Sequence, residues 1–152
     1  MEKIPAVETA KTLMTEAVTW SVMKWLREKK TVRKIADQAN ASLDQLNQAV
    51  KDRWPDKVRA AYKALKQSGN GPCNQNESDL PVGNGQALLT VKKIKEADDQ
   101  AYDARVDAEQ TFNTAEKQLS TALAREGCRK AIRSWELHEK AIRKAEALIP
   151  PH

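Results

Sequence analysis

The chain gathers its helix-breaking residues in one place. Four of its five glycines (Gly69, Gly71, Gly83, Gly85) and two of its six prolines (Pro72, Pro81) fall within residues 68–85. Inside a helix a glycine costs ~1 and a proline ~3 kcal/mol, so this stretch is expected to be a connecting loop. On either side breakers are rare. Residues 6–67 contain only Pro55 and residues 86–149 only Gly127, and Pro150 and Pro151 then close the second stretch. By subtraction the two stretches are 62 and 64 residues long, so as antiparallel arms they would match end to end. The expectation is a single helical domain over residues 1–152: arm one 6–67, loop 68–85, arm two 86–149. A chain of 152 residues leaves little room for a second core.

Apolar periodicity supports helices in both arms. In arm two a stripe runs through Ala87, Val91, Ile94, Ala97, Ala101, Ala104, Ala108, Phe112, Ala115, Leu119 and Ala122. It resumes at Cys128, Ala131, Trp135, His138, Ile142, Ala145 and Ile149. In arm one Val7, Ala10, Met14, Ala17, Ser21 and Trp25 are followed by Val32, Ile35, Ala39, Leu43, Leu46, Val50, Trp54, Val58, Ala61 and Leu65. Steps of three and four are the helical signature. The frequent fours depart from a strict heptad, so little or irregular supercoiling is expected of any coiled coil here. Aromatics at 5% and charged residues at 31% suit long helices better than sheets.

The fold class is therefore all-α, a long antiparallel helical hairpin with arms on the order of 90 Å if straight. Lys29 to Thr31 falls opposite Gly127 in that hairpin. A bend there would give helices of roughly 6–29, 31–67, 86–126 and 128–149 in a four-helix bundle, with Trp20, Trp25 and Trp135 clustered at the bent end. The extended pair with self-association is the favoured arrangement, because a lone ribbon of this length covers its tryptophans poorly.

Little in the chain points to catalysis. His138 and the terminal His152 are the two histidines. His138-Glu139-Lys140-Ala141-Ile142 starts like a helical zinc-protease motif, but Ile142 stands where the second histidine belongs. Asp99, Asp103 and Asp107 share one helix face; a divalent cation could sit there, and pairing with lysines such as Lys51 or Lys57 of the other arm is the plainer reading. No phosphate-cradling glycine pattern occurs in the loop. Cys73 and Cys128 are too far apart in sequence for a CxxC pair and read as reduced thiols. Asn76-Glu77-Ser78 matches the glycosylation triplet by chance. No apolar run approaches the ~18 residues of a membrane span, and Met1 to Pro5 lacks a signal-peptide stretch, so no membrane span and a cytoplasmic location are expected. The chain is read as non-enzymatic, without cofactor or metal.

Two signals bear on binding. The first is charge. Residues 1–67 hold 14 Lys/Arg against 8 Asp/Glu, and residues 68–152 hold 12 against 13. Lys24, Arg27, Lys29, Lys30, Arg33 and Lys34 crowd arm one, and Arg125, Arg129, Lys130 and Arg133 lie opposite them in the hairpin register. Like charges so concentrated favour an anionic partner. The second is the stretch Thr31 to Val50, where Ala36, Asn40, Ile35, Leu46 and Ala49 stand at the crossing, turn and anchor positions and Ser42 with Gln45 forms a capping box. It resembles a bacterial helix-turn-helix. That resemblance implies Asp44, Gln45, Asn47, Gln48 and Lys51 as base readers, with Arg33, Lys34 and Arg53 on phosphates. The leading expectation is a structural or adaptor protein acting on a protein partner or on itself. The alternative is a DNA-binding regulator reading through residues 31–53.

Overall fold

The computed structural model describes residues 3–67 and 85–149. Among them are five helices and no strand: α1 (Pro5–Ala17), α2 (Val22–Asp52), α3 (Asp56–Gln67), α4 (Gly85–Gln118) and α5 (Thr121–Leu148). Pro5 opens α1 at its first position, where a missing N–H removes no helical bond. Pro55 separates α2 from α3, so the helix expected over 31–67 is divided where proline removes a helical N–H. Of the expected loop over 68–85, Gly85 is already helical and the rest, with Cys73 and the glycosylation triplet, lies outside the described residues.

The two arms pair antiparallel. Arg33 donates to Asn113 at 3.1 Å, Arg105 meets Asp44 at 2.7 Å, and Lys51 meets Asp98 at 2.7 Å, so α2 and α4 run in opposite directions. The arms are not straight, however, and the extended ribbon gives way to the folded arrangement. α1 turns back on α2, and α5 turns back along α4, where Gly127 lies under Phe112 and Lys130 reaches Asp107 and Thr111. α5 packs on α1, α2 and α4, and α3 packs on α4. α1, α2, α4 and α5 thus alternate in direction, and α5 touches each of the other three.

The corners differ from the expected ones. They fall at residues 18–21 and 119–120 instead of 29–31 and 127. At each, a serine caps the incoming helix: Ser21 Oγ accepts from the Lys24 N–H at 3.2 Å and Ser120 Oγ from the Leu123 N–H at 3.1 Å. These bonds satisfy N–H groups that a helix start leaves without partners. α4 ends with Leu119 in the left-handed region at φ 51°. The Ser120 N–H reaches the Ala115 carbonyl at 2.9 Å and the Leu119 N–H the Glu116 carbonyl at 3.3 Å, the Schellman pattern that usually places glycine at this position. Gly127 breaks nothing. It is buried within α5, where a side chain would collide with the Phe112 ring.

The stripes form the core. Val7, Ala10, Met14, Val32, Leu43, Ile94, Cys128, Trp135 and Ile142 are all buried. Trp20 and Trp25 meet edge to face with centroids 5.3 Å apart, whereas Trp135 lies elsewhere and donates its indole N–H to Asn40 at 2.8 Å. The expected three-tryptophan cluster is thus a pair.

Candidate docking cleft and its basic rim

α2 and α4 are bridged by long polar side chains rather than by close packing, and between them lie clefts. The largely apolar one occupies the end nearest the two corners and holds about 590 Å³. Its lining includes Trp25 and Val32 of α2, Phe112 and Ala115 of α4, and Ala124 of α5, all of them buried. Val22, Leu26 and Leu119 stand at its mouth, each more than half exposed, and Met23 beside them is 68% exposed. Apolar side chains so grouped in water are a sign of a binding surface. Val22 and Leu26 are one turn apart, off the stripe that Trp25 and Val32 follow. Such a surplus pair was the one sequence clue to this face.

Lys29, Lys30, Arg33 and Lys34 line the same cleft, against the acids Asp37 and Glu116. Arg33 is held in place, bonded to Asn113 with its guanidinium 5.5 Å from the centre of the Phe112 ring. Lys29, Lys30 and Lys34 make no ion pair among the described residues. Lys24 lies 5.0 Å over the Trp20 ring, and Arg27 is exposed on α2. The α5 cations are brought to this end of the fold but are mostly engaged: Arg125 donates to the Trp20 carbonyl at 2.7 Å, Arg129 faces Glu126 at 3.4 Å, and Lys130 faces Asp107 at 3.1 Å. Arg133 is exposed. The usable positive charge at the cleft therefore belongs to α2.

The helix-turn-helix expectation is corrected. α2 is one unbroken helix from Val22 to Asp52, so no turn exists at Asn40 and Ser42 caps nothing. The continuous apolar stripe outweighs the capping pattern, because buried Ala36, Ala39 and Leu43 keep one face of a single helix against the core. Most of the residues assigned to base reading have other employment. Asn47 accepts from Lys51 at 2.8 Å, Gln48 donates to Asp52 at 2.8 Å, and Lys51 is buried. Gln45 is exposed, and Arg53 is exposed just after the end of α2.

A second cleft, about 710 Å³ and more polar, lies where α2, α3 and α4 meet. Lys51, Asp98 and Tyr62 form its inner network: Lys51 donates to Asp98 at 2.7 Å, the Tyr62 hydroxyl donates to the same oxygen, and the Lys51 ammonium sits 4.8 Å over the Tyr62 ring. Burial holds Lys51 below the usual lysine range, opposed by the Asp98 charge. Burial, with Asp98 beside it, pushes the Tyr62 hydroxyl up. His138 also lines this cleft, and burial drives its pKa down to about 4, with Arg105 adding to the effect. Of the three aspartates expected to share the acidic face of α4, Asp99 pairs with Lys95 of its own helix, Asp107 pairs with Lys130 of α5 and Asp103 is exposed, so none meets Lys51 or Lys57 of arm one; Lys51 pairs with Asp98 instead. No cluster of potential metal ligands is found among the described residues, and no described helix is long and apolar enough to cross a membrane.

Comparison of the chain with protein-family models, with curated proteins and with solved structures finds no match.

Proposed function

We propose that the chain is a non-enzymatic helical adaptor of the cytoplasm, acting through protein contacts made at its apolar cleft and basic end. The observation that carries this reading is the coincidence of two features on one surface. Val22, Met23, Leu26 and Leu119 are exposed, and the α2 lysines beside them lack acidic partners among the described residues. Exposed apolar area costs about 25 cal/mol per Å² in water, and concentrated like charge adds repulsion. A bound protein relieves both. The second cleft is a weaker candidate, since its central cation and hydroxyl, Lys51 and Tyr62, are already engaged by Asp98.

The DNA-binding alternative rested on a turn at residues 37–42, and that stretch is helix. The adaptor reading is tested by proximity capture in the native source with the wild type and with a Leu26→Glu, Leu119→Glu variant. A partner retained by the first and lost by the second is the expected outcome; identical captured sets would remove the reading. Light scattering after size exclusion separates self-association from capture of another protein, because a monomer elutes at 17.0 kDa.

A further inference from the structure

We infer that the cleft receives one acidic amphipathic helix of a partner protein. This rests on the adaptor reading and names the chemistry of its partner. Shape comes first. The α2 residues lining the cleft run from Val22 to Ala41, which at ~1.5 Å per residue is about 28 Å along the helix axis. A helix of about 18 residues fills that length, whereas a small molecule covers a fraction of it.

The lining has the polarity of such a helix in reverse. Its floor is apolar and invites a stripe of leucine-like side chains, as helix-in-groove recognition requires. Its rim holds Lys29, Lys30, Arg33 and Lys34 against Asp37 and Glu116. Lys30 and Lys34 stand one turn apart on α2, so they face carboxylates at the same spacing on a helix laid alongside. A second copy of this chain suits the cleft poorly in a two-fold contact, which would set the cationic rims of both copies against each other.

The test uses the full chain and three labelled helical peptides of about 18 residues with one leucine stripe, their other positions Glu, Gln or Lys, followed by fluorescence anisotropy. The Glu peptide is expected to bind at least about tenfold more tightly than the Gln peptide, with an advantage that shrinks as salt is added. Lys30→Gln with Lys34→Gln should erase most of that advantage and leave the Gln peptide unchanged. Leu26→Ser, and independently Leu119→Gly, should weaken both peptides while circular dichroism stays as in the wild type. Equal binding of the Glu and Gln peptides would overturn the inference and leave the adaptor reading standing. Absence of peptide binding, together with a captured partner set indifferent to Leu26 and Leu119, would remove both. A dimer in light scattering that Leu26→Ser dissolves would assign the cleft to a second copy, and binding to phosphatidylserine vesicles without binding to the Glu peptide would assign it to a membrane surface. Either result overturns the inference.

Discussion

The Lys51 ammonium lies 2.7 Å from Asp98 Oδ2 and joins the last turn of α2 to α4 across the polar cleft. Both side chains are largely buried, so the pair is shielded from solvent screening. Removing one member strands the other charge away from water, which typically costs about 3–5 kcal/mol. Asp98→Ala should therefore lower the unfolding free energy by about 3 kcal/mol in urea denaturation, and it also leaves the Tyr62 hydroxyl without its acceptor. Lys51→Met with Asp98→Leu should be milder than the sum of the two single changes. An additive double-mutant cycle would show that the pair contributes no coupling.

Gly127 is buried in α5, and a Cβ there would stand 2.8 Å from two atoms of the Phe112 ring. Overpacking of this kind costs about 1–3 kcal/mol. Gly127→Ala should lower the melting temperature, and Phe112→Leu in the same chain should recover part of the loss. Recovery is the decisive reading, since each change alone is destabilising.

Leu119 occupies the left-handed region with its side chain 76% exposed. An L residue other than glycine pays roughly 1–2 kcal/mol there, and the exposed leucine loses little packing when removed. Leu119→Gly is expected to stabilise the fold by about 1 kcal/mol in denaturant titration, in contrast to glycine placed anywhere inside α4. An unchanged or lower midpoint would mean that the Leu119 side chain carries weight in the native packing.

His138 is 7% exposed, with a native pKa of about 4 against an ordinary 6.5. Between those values the unfolded chain binds a proton that the folded chain refuses, so the group's contribution is intact above pH 6.5 and declines as pH falls toward 4. The full loss is on the order of 3 kcal/mol. Comparing the stability of the wild type with that of His138→Leu across this window isolates the effect from the carboxylates, which titrate in both. Parallel curves would show that His138 titrates normally.

Cys128 is fully buried in α5, and burial pushes its thiol pKa up to about 12. Native protein at pH 8 should leave this residue unmodified by iodoacetamide, and peptide mass spectrometry should find it labelled after unfolding in guanidinium. Rapid labelling under native conditions would contradict the packing of α5 on its neighbours.

The core was legible from the sequence because apolar spacing and burial answer to the same geometry. All seven residues of the resumed stripe, from Cys128 through Trp135 and His138 to Ile149, are buried. The breaker-poor arms and their antiparallel pairing followed for the same reason, whereas Pro55 divides the helix expected over 31–67. The corners were illegible because neither carries the usual signature. Ser21 and Ser120 cap helices with Lys24 and Leu123 three positions on, where a capping box has an acid or amide, and the left-handed residue is leucine instead of glycine. Gly127 misled because a glycine can serve close approach as well as a turn. At Asn40 a helix-interior asparagine looked like a turn residue, while its side chain is there to meet the Trp135 indole. The exposed apolar face at Val22 and Leu26 was hidden for a different reason: apolar residues off a stripe look the same in sequence whether or not a neighbour covers them.

The corner between α4 and α5 consists of Leu119 and Ser120 alone, and that brevity governs how the chain can vary. A corner of two residues has no slack, so a residue gained or lost within α5 cannot be absorbed upstream. Each such change rotates the rest of the helix by about 100°, swinging Trp135 away from Asn40 and the buried stripe toward water. Variation in length is therefore tolerated at the outer ends of the two arms and forbidden between Phe112 and Trp135, where α5 behaves as a key whose teeth must keep their order.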